Sequence, residues 1–260
     1  MLSLAQSARR VGDLGNPLPD VYDVFKRERI ALRRGRTSLV VAGPGVGKTT
    51  LALDWVRRLR VPTLYVCIDT AEQDAAARAV AMATGLPLAE VEGMVEEFTE
   101  DLTREFPKVK WYFGLSPTVE EIELELKAFG EAFGAYPELI VVDNLTSIDM
   151  ESELNFTAVR DTMVKLNNMA ILTGAHVMAL AHATGEYENG DKPIPLGGIE
   201  FKAGKVADLC LTLTRDDSEL RVAAVKNRGG SADASGKTPV PLYTDLARMA
   251  ISEKFPRDRG

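Results

Sequence analysis

Ser38-Leu-Val-Val-Ala-Gly-Pro-Gly-Val-Gly-Lys-Thr-Thr50 is the stretch on which the fold turns. Ser38 to Ala42 is a short apolar run and predicts a buried strand. A glycine-rich turn follows, and Thr49 to Leu59 then places Leu51, Leu53, Trp55 and Val56 on helical spacing. Strand, glycine turn and helix in this order make an anion cradle. Gly43, Gly45 and Gly47 let the backbone curl with its N–H groups inward. The helix opening near Lys48 adds the positive end of its dipole. Lys48 then reaches the β- and γ-phosphates of a nucleotide, and Thr49 offers a hydroxyl to Mg²⁺. The ATP-binding positions are therefore Gly43, Pro44, Gly45, Val46, Gly47, Lys48, Thr49 and Thr50, with ATP and Mg²⁺ as the implied ligands. One position departs from the strict phosphate-loop pattern: Ala42 stands where Gly is usual, which the relaxed pattern accepts. The competing reading is an ordinary glycine turn before a helix.

Working outward, Thr63 to Ile68, Val109 to Phe113 and Leu139 to Val142 read as further buried strands, and His176 to His182 as another. Helices are expected at 21–30 (short), 71–84 with Gly85 as C-cap, 88–106, 118–133 behind a Thr118–Glu121 capping box, and 156–173. After residue 182 only strands follow: 208–214 and 219–225 as a hairpin, then 240–244 and 247–251. This order predicts an α/β fold, a mostly parallel twisted sheet flanked by helices with an antiparallel C-terminal extension. Three parts are expected: an N-terminal arm or linker at 1–35, one ATPase domain at 36–251 and a flexible tail at 252–260.

Leu139-Ile-Val-Val-Asp143 ends in a carboxylate that faces the same crevice as the glycine loop. There Asp143 can hold Mg²⁺ through water, although many strands end in Asp. The strand 63–68 runs into Asp69, with Glu72 three residues on. Asp69 is either the general base for an attacking water or the N-cap of the next helix. Glu72 is either the alternative base or an acid favoured by the helix dipole.

Of the 260 residues, 45% are hydrophobic and 27% charged, an ordinary globular balance. The net charge of −7 and pI near 5.1 exclude a protein that coats nucleic acid with its whole surface. A local basic lining remains open, because phosphate affinity depends on nearby Lys and Arg. Cys67 and Cys210 sit in apolar, strand-like runs and read as buried free thiols, suiting a reducing cytosol. With two His and distant Cys there is no zinc-ligand spacing. Met1 to Asp20 shows no signal-peptide pattern, and no run approaches the roughly 20 apolar residues that cross a bilayer. A soluble, cytoplasmic protein is the expectation.

The stretches Val40 to Thr50, Thr63 to Gln73, Thr118 to Ile122, Val141-Val-Asp-Asn144, Ala179-Leu-Ala-His182 and Val225-Lys-Asn-Arg-Gly229 together resemble the RecA/DnaB superfamily. The resemblance spans roughly residues 25 to 251, is closest to the DnaB helicase ATPase domain and its RadA and KaiC relatives, and points to phage- or plasmid-encoded ATPases. It implies a homo-oligomer, most simply a hexameric ring, with ATP at subunit interfaces and single-stranded or branched DNA as partner. It places the water-activating acid at Asp69, where Glu is usual, with one residue fewer in the segment. It places the strand-end polar sensor at His182, which is otherwise a satisfied histidine at a strand end. Lys226 and Arg228 resemble the Lys-x-Arg finger offered to a neighbour's ATP; the alternative is a solvated basic loop. The loop 183–205 falls where the superfamily contacts DNA, with Lys192, Lys202 and Lys205 as the phosphate-contacting residues. Its acids Glu186, Glu188, Asp191 and Glu200 weaken that signal. The acidic segment 146–155 is a poorer candidate, and no aromatic-studded basic platform for stacking bases is present. Three roles follow: a DNA-stimulated translocating motor, a recombination or repair ATPase, and a KaiC-like signalling ATPase without nucleic acid.

Overall fold

Apolar runs form strands in the expected order, and helices fill the intervals. The computed structural model describes residues 14–68, 70–150 and 155–254. In chain order the elements are α1 (Asp23–Arg27), β1 (Thr37–Ala42), α2 (Lys48–Leu59), β2 (Thr63–Cys67), α3 (Glu72–Thr84), α4 (Leu88–Val91), α5 (Thr99–Glu105), β3 (Val109–Phe113), α6 (Val119–Phe133), β4 (Leu139–Asp143), α7 (Phe156–Thr173), β5 (His176–His182), β6 (Leu209–Asp216), β7 (Glu219–Asn227), β8 (Val240–Asp245) and β9 (Ala250–Ser252). Among the described residues the strands form one sheet in the order β3-β2-β4-β5-β1-β6-β7-β8-β9. The pairs from β3 to β6 are parallel, whereas β6–β7, β7–β8 and β8–β9 are antiparallel. The α/β class and the antiparallel C-terminal extension stand as the sequence predicts.

The two-residue period of a strand sorts the core into two layers. Val40 and Ala42 face one layer with Leu51 and Trp55 of α2 and Val80 of α3. Leu39 and Val41 face the other with Ile122 and Leu126 of α6 and Met163 and Leu166 of α7. Each such fully buried aliphatic side chain contributes roughly 1.5–3 kcal/mol. Helix ends follow local chemistry: Thr118 and Glu121 close the expected capping box of α6, and Gly85 ends α3 at φ 74°. Cys67 and Cys210 are buried free thiols, as expected.

Three expectations are corrected. Of the expected arm at 1–35, residues 14–35 are described, and Leu18, Tyr22, Phe25, Ile30 and Leu32 are core. Tyr22 and Phe25 pack on Trp55, and the Tyr22 hydroxyl donates to the buried carboxylate of Asp54, which Arg57 and Arg58 also bind. The segment is too short of apolar period to reveal this, because its partner Asp54 lies on another element. The single helix expected at 88–106 breaks into α4, a 3-10 turn at Val95–Phe98 and α5, with Gly93 at φ 80° in the gap. The strand expected at 247–251 begins only at Ala250, because the Asp245 side chain caps a 3-10 turn at Leu246–Arg248. The loop 183–205 is pinned: Ile194, Ile199 and Ala203 are buried in the core layer that α7 covers. Among the described residues no helix is long and apolar enough to cross a membrane.

Candidate active site

Parallel pairing brings the C-terminal ends of β1, β2, β4 and β5 to one crest of the sheet. The register sets Ala42 beside His182 and Cys67 beside Asp143. Such a crest is where open α/β sheets hold ligands. The glycine loop leaves β1 there and α2 begins at Lys48. Gly45 and Gly47 adopt φ 70° and 121°, the left-handed region that a side chain would strain. A Cβ added to Gly43 would lie 2.0 Å from the Glu188 carbonyl oxygen, and one added to Gly190 2.2 Å from Val46 Cγ2. The loop and the segment after β5 therefore interlock through two glycines. Pro44 is exposed, Val46 is buried, and the Thr50 hydroxyl turns inward to the Met249 sulfur at 3.6 Å.

Lys48 Nζ donates to the carbonyls of Ala42 (2.9 Å) and Gly43 (3.3 Å) and sits 3.1 Å from His182 Nδ1. Burial pulls its ammonium down to about 8, against the raising influence of Asp143. Thr49 Oγ1 donates to Asp143 Oδ2 at 2.9 Å, as does the Tyr65 hydroxyl at 2.9 Å. Burial pushes the Asp143 carboxyl up, opposed by these two hydrogen bonds and the charges of Lys48 and Arg78. Thr49 and Asp143 thus present hard oxygen donors, the kind Mg²⁺ takes. The structure brings Lys48, Thr49, Asp143 and His182 together.

The other expected residues fall elsewhere. Asp69 lies outside the described residues. Glu72 is exposed on the first turn of α3, beside a groove walled by Leu102, Trp111 and Phe113. Lys192 is exposed and pairs with Glu186 at 3.7 Å, Lys202 lies over the Phe156 ring at 5.6 Å, and Lys205 is exposed. Arg228 binds Asp208 at 2.8 Å, and Lys226 Nζ donates to the carbonyls of Gly204 (2.9 Å) and Lys205 (2.8 Å). Both lie at the N-terminal end of β1, since Leu209 pairs with Asn227 and Ser38 with Leu209. Tyr65 and Arg78 are the residues that sequence reasoning missed. Arg78 Nη1 donates to Thr70 Oγ1 at 3.4 Å and shares a small cavity with Thr49, Tyr65 and Cys67. No spacing marks either residue: Tyr65 is one more apolar position in a strand, and Arg78 one charge in an Ala-rich helix.

Residues 5–186, which contain Lys48, Thr49, Tyr65, Arg78, Asp143 and His182, match the AAA domain family. The chain belongs to the AAA domain family. It is a P-loop enzyme that hydrolyses ATP. The chain is 36% identical over 250 residues to the gene 65 protein of Mycobacterium phage L5, covering 91% of this chain and 93% of that one. Its fold matches a DnaB-like replicative helicase solved with regard to its interactions with primase, at TM-score 0.79 and 14% identity over 96% of this chain and 64% of that one. It also matches a KaiC-like protein from Pyrococcus horikoshii at TM-score 0.63 and 16% identity, covering 91% and 98%.

Proposed function

We propose that the chain is a Mg²⁺-dependent ATPase that assembles into a ring, most simply a hexamer, and works on single-stranded or branched DNA in the cytoplasm. One observation carries the assembly: Arg228 and Lys48 belong to opposite ends of β1. The five residue steps from Thr37 to Ala42 span about 16 Å of strand, so Arg228 cannot reach its own phosphate loop. Only a head-to-tail contact between subunits lets the two meet, and contacts of that kind form rings when the rotation between subunits closes.

In this reading the loop amides and Lys48 grip the β- and γ-phosphates. Thr49 and Asp143 hold Mg²⁺, whose charge offsets that of the phosphate oxygens when bound. Asp69 or Glu72 takes a proton from the attacking water. Water oxygen bonds to the γ-phosphorus as the bond to the bridging oxygen breaks. The electron pair leaves with ADP, and inorganic phosphate and a proton are the other products. Arg228 of the neighbour stabilises the charge of that transition state. His182, 3.1 Å from Lys48 Nζ, registers loss of the γ-phosphate and passes it to the segment after β5.

The exposed Lys192, Lys202 and Lys205 on that segment are the proposed DNA contacts, made to backbone phosphate. The likeness in fold to a DnaB-like replicative helicase supports a nucleic-acid role. The test is ATP turnover with and without single-stranded DNA. Stimulation that falls as salt rises is expected; turnover indifferent to DNA sinks the DNA reading and favours a signalling ATPase.

A further inference from the structure

At the start of β1 two guanidiniums share one carboxylate. Asp208 Oδ1 accepts from Arg228 Nη1 at 2.8 Å and lies 3.8 Å from Arg36 Nη1. The Asp208 side chain is only 11% exposed, against 51% for Arg36 and 59% for Arg228. It is fixed from behind, because Thr37 N donates to its Oδ2 at 3.4 Å and Arg228 N donates to its carbonyl at 3.0 Å. The arginine heads therefore point outward from a rigid seat. Beside them opens a cavity of about 390 Å³ whose wall also includes Arg33, Thr37 and Asn227. Thr37 Oγ1 is buried there without a hydrogen-bond partner. Three guanidiniums against one carboxylate favour an anion. Lys226, by contrast, is committed to the Gly204 and Lys205 carbonyls.

We propose that Arg36, seated beside Arg228 by Asp208, is the second cation this chain presents to the γ-phosphate of ATP bound on a neighbouring subunit, the place that Lys226 would otherwise fill. The proposal rests on the trans reading of Arg228 given above. Phosphoryl transfer spreads charge over three equatorial oxygens, and two guanidinium forks can meet more than one of them. Asp208 is a positioning residue: it touches neither nucleotide nor water, but sets the spacing of the two heads.

Subunit mixing tests this with the full chain. Arg36→Ala is expected to lower kcat about 10–100-fold at unchanged KM for ATP. Mixed with Lys48→Ala, it should regain turnover above the sum of the separate proteins, because its intact phosphate loop then meets an intact arginine pair. Arg36→Gln is the second variant should the alanine chain not fold. Asp208→Asn is expected to show the same kcat fall at unchanged KM and the same rescue by mixing. Recovery with Arg228→Ala but not with either Arg36 variant overturns this proposal alone. No recovery with any of them overturns the trans reading itself. A lowered melting temperature without a change in kcat makes Asp208 merely structural and removes its role.

Discussion

The two ends of β1 carry positive charge in different ways. At its C-terminal end the charge is backbone amides, a helix terminus and one buried lysine, gathered within a single stretch of chain. At its N-terminal end it is the exposed guanidiniums of Arg36 and Arg228, seated on Asp208. The first end has a loop that curls round the space a polyphosphate would fill. The second offers side chains outward and has no enclosing loop. On the proposed reading, an ATPase that separates grip from charge neutralisation in this way depends on assembly to complete its site.

Breaking the gripping end should have the largest effect. Lys48→Ala is expected to remove ATP turnover, a loss of about 1,000-fold or more in kcat/KM, read by steady-state phosphate release. Breaking the offering end with Arg228→Ala should lower kcat about 1,000-fold but leave nucleotide binding intact, measured by binding of a fluorescent ATP analogue. If binding is lost as well, the two ends are not separable. The interlock between loop and sensor segment is sharpened by Gly43→Ala. The new methyl meets the Glu188 carbonyl, so about 1–3 kcal/mol of stability should go, seen in urea unfolding, together with weakened nucleotide affinity.

Two smaller effects follow from protonation. Polyphosphate stabilises the Lys48 ammonium and so raises a pKa that burial has brought to about 8. Affinity gained this way is complete below that value and fades as pH rises through it. Calorimetry in buffers of different ionisation heat should show proton uptake on binding above about pH 8 and little at pH 7. At the other end, burial holds His176 down at about 4, with Ser38 and the Arg33 backbone as its partners. The unfolded chain protonates this histidine near its ordinary value of about 6.5. Stability is therefore lost as pH falls from there toward 4, by about 3 kcal/mol at most, and His176→Gln should flatten that slope.

Legibility followed the same division. Gly43 to Thr50 could be read because a phosphate cradle needs its glycines, lysine and threonine at fixed spacing. Asp143 could be read because a buried strand exposes its last carboxylate to the same crest. The α/β alternation was equally plain from apolar runs. What escaped was whatever depended on register. Tyr65 reaches Asp143 only because β2 pairs with β4, and Arg36 meets Arg228 only because β6 joins β1 to β7. The burial of Tyr22 and Phe25 hinges on Trp55 and Asp54, and the pinning of the 183–205 loop on Ile194, Ile199 and Ala203. Pairings across tens of residues leave no local trace in composition or period.

The most direct test of the account is ATP turnover per subunit followed as the protein is diluted, with sedimentation velocity at each concentration. Turnover per subunit should fall steeply as rings dissociate and return when assembly is restored. Full turnover from a population that sediments as monomer contradicts the shared site.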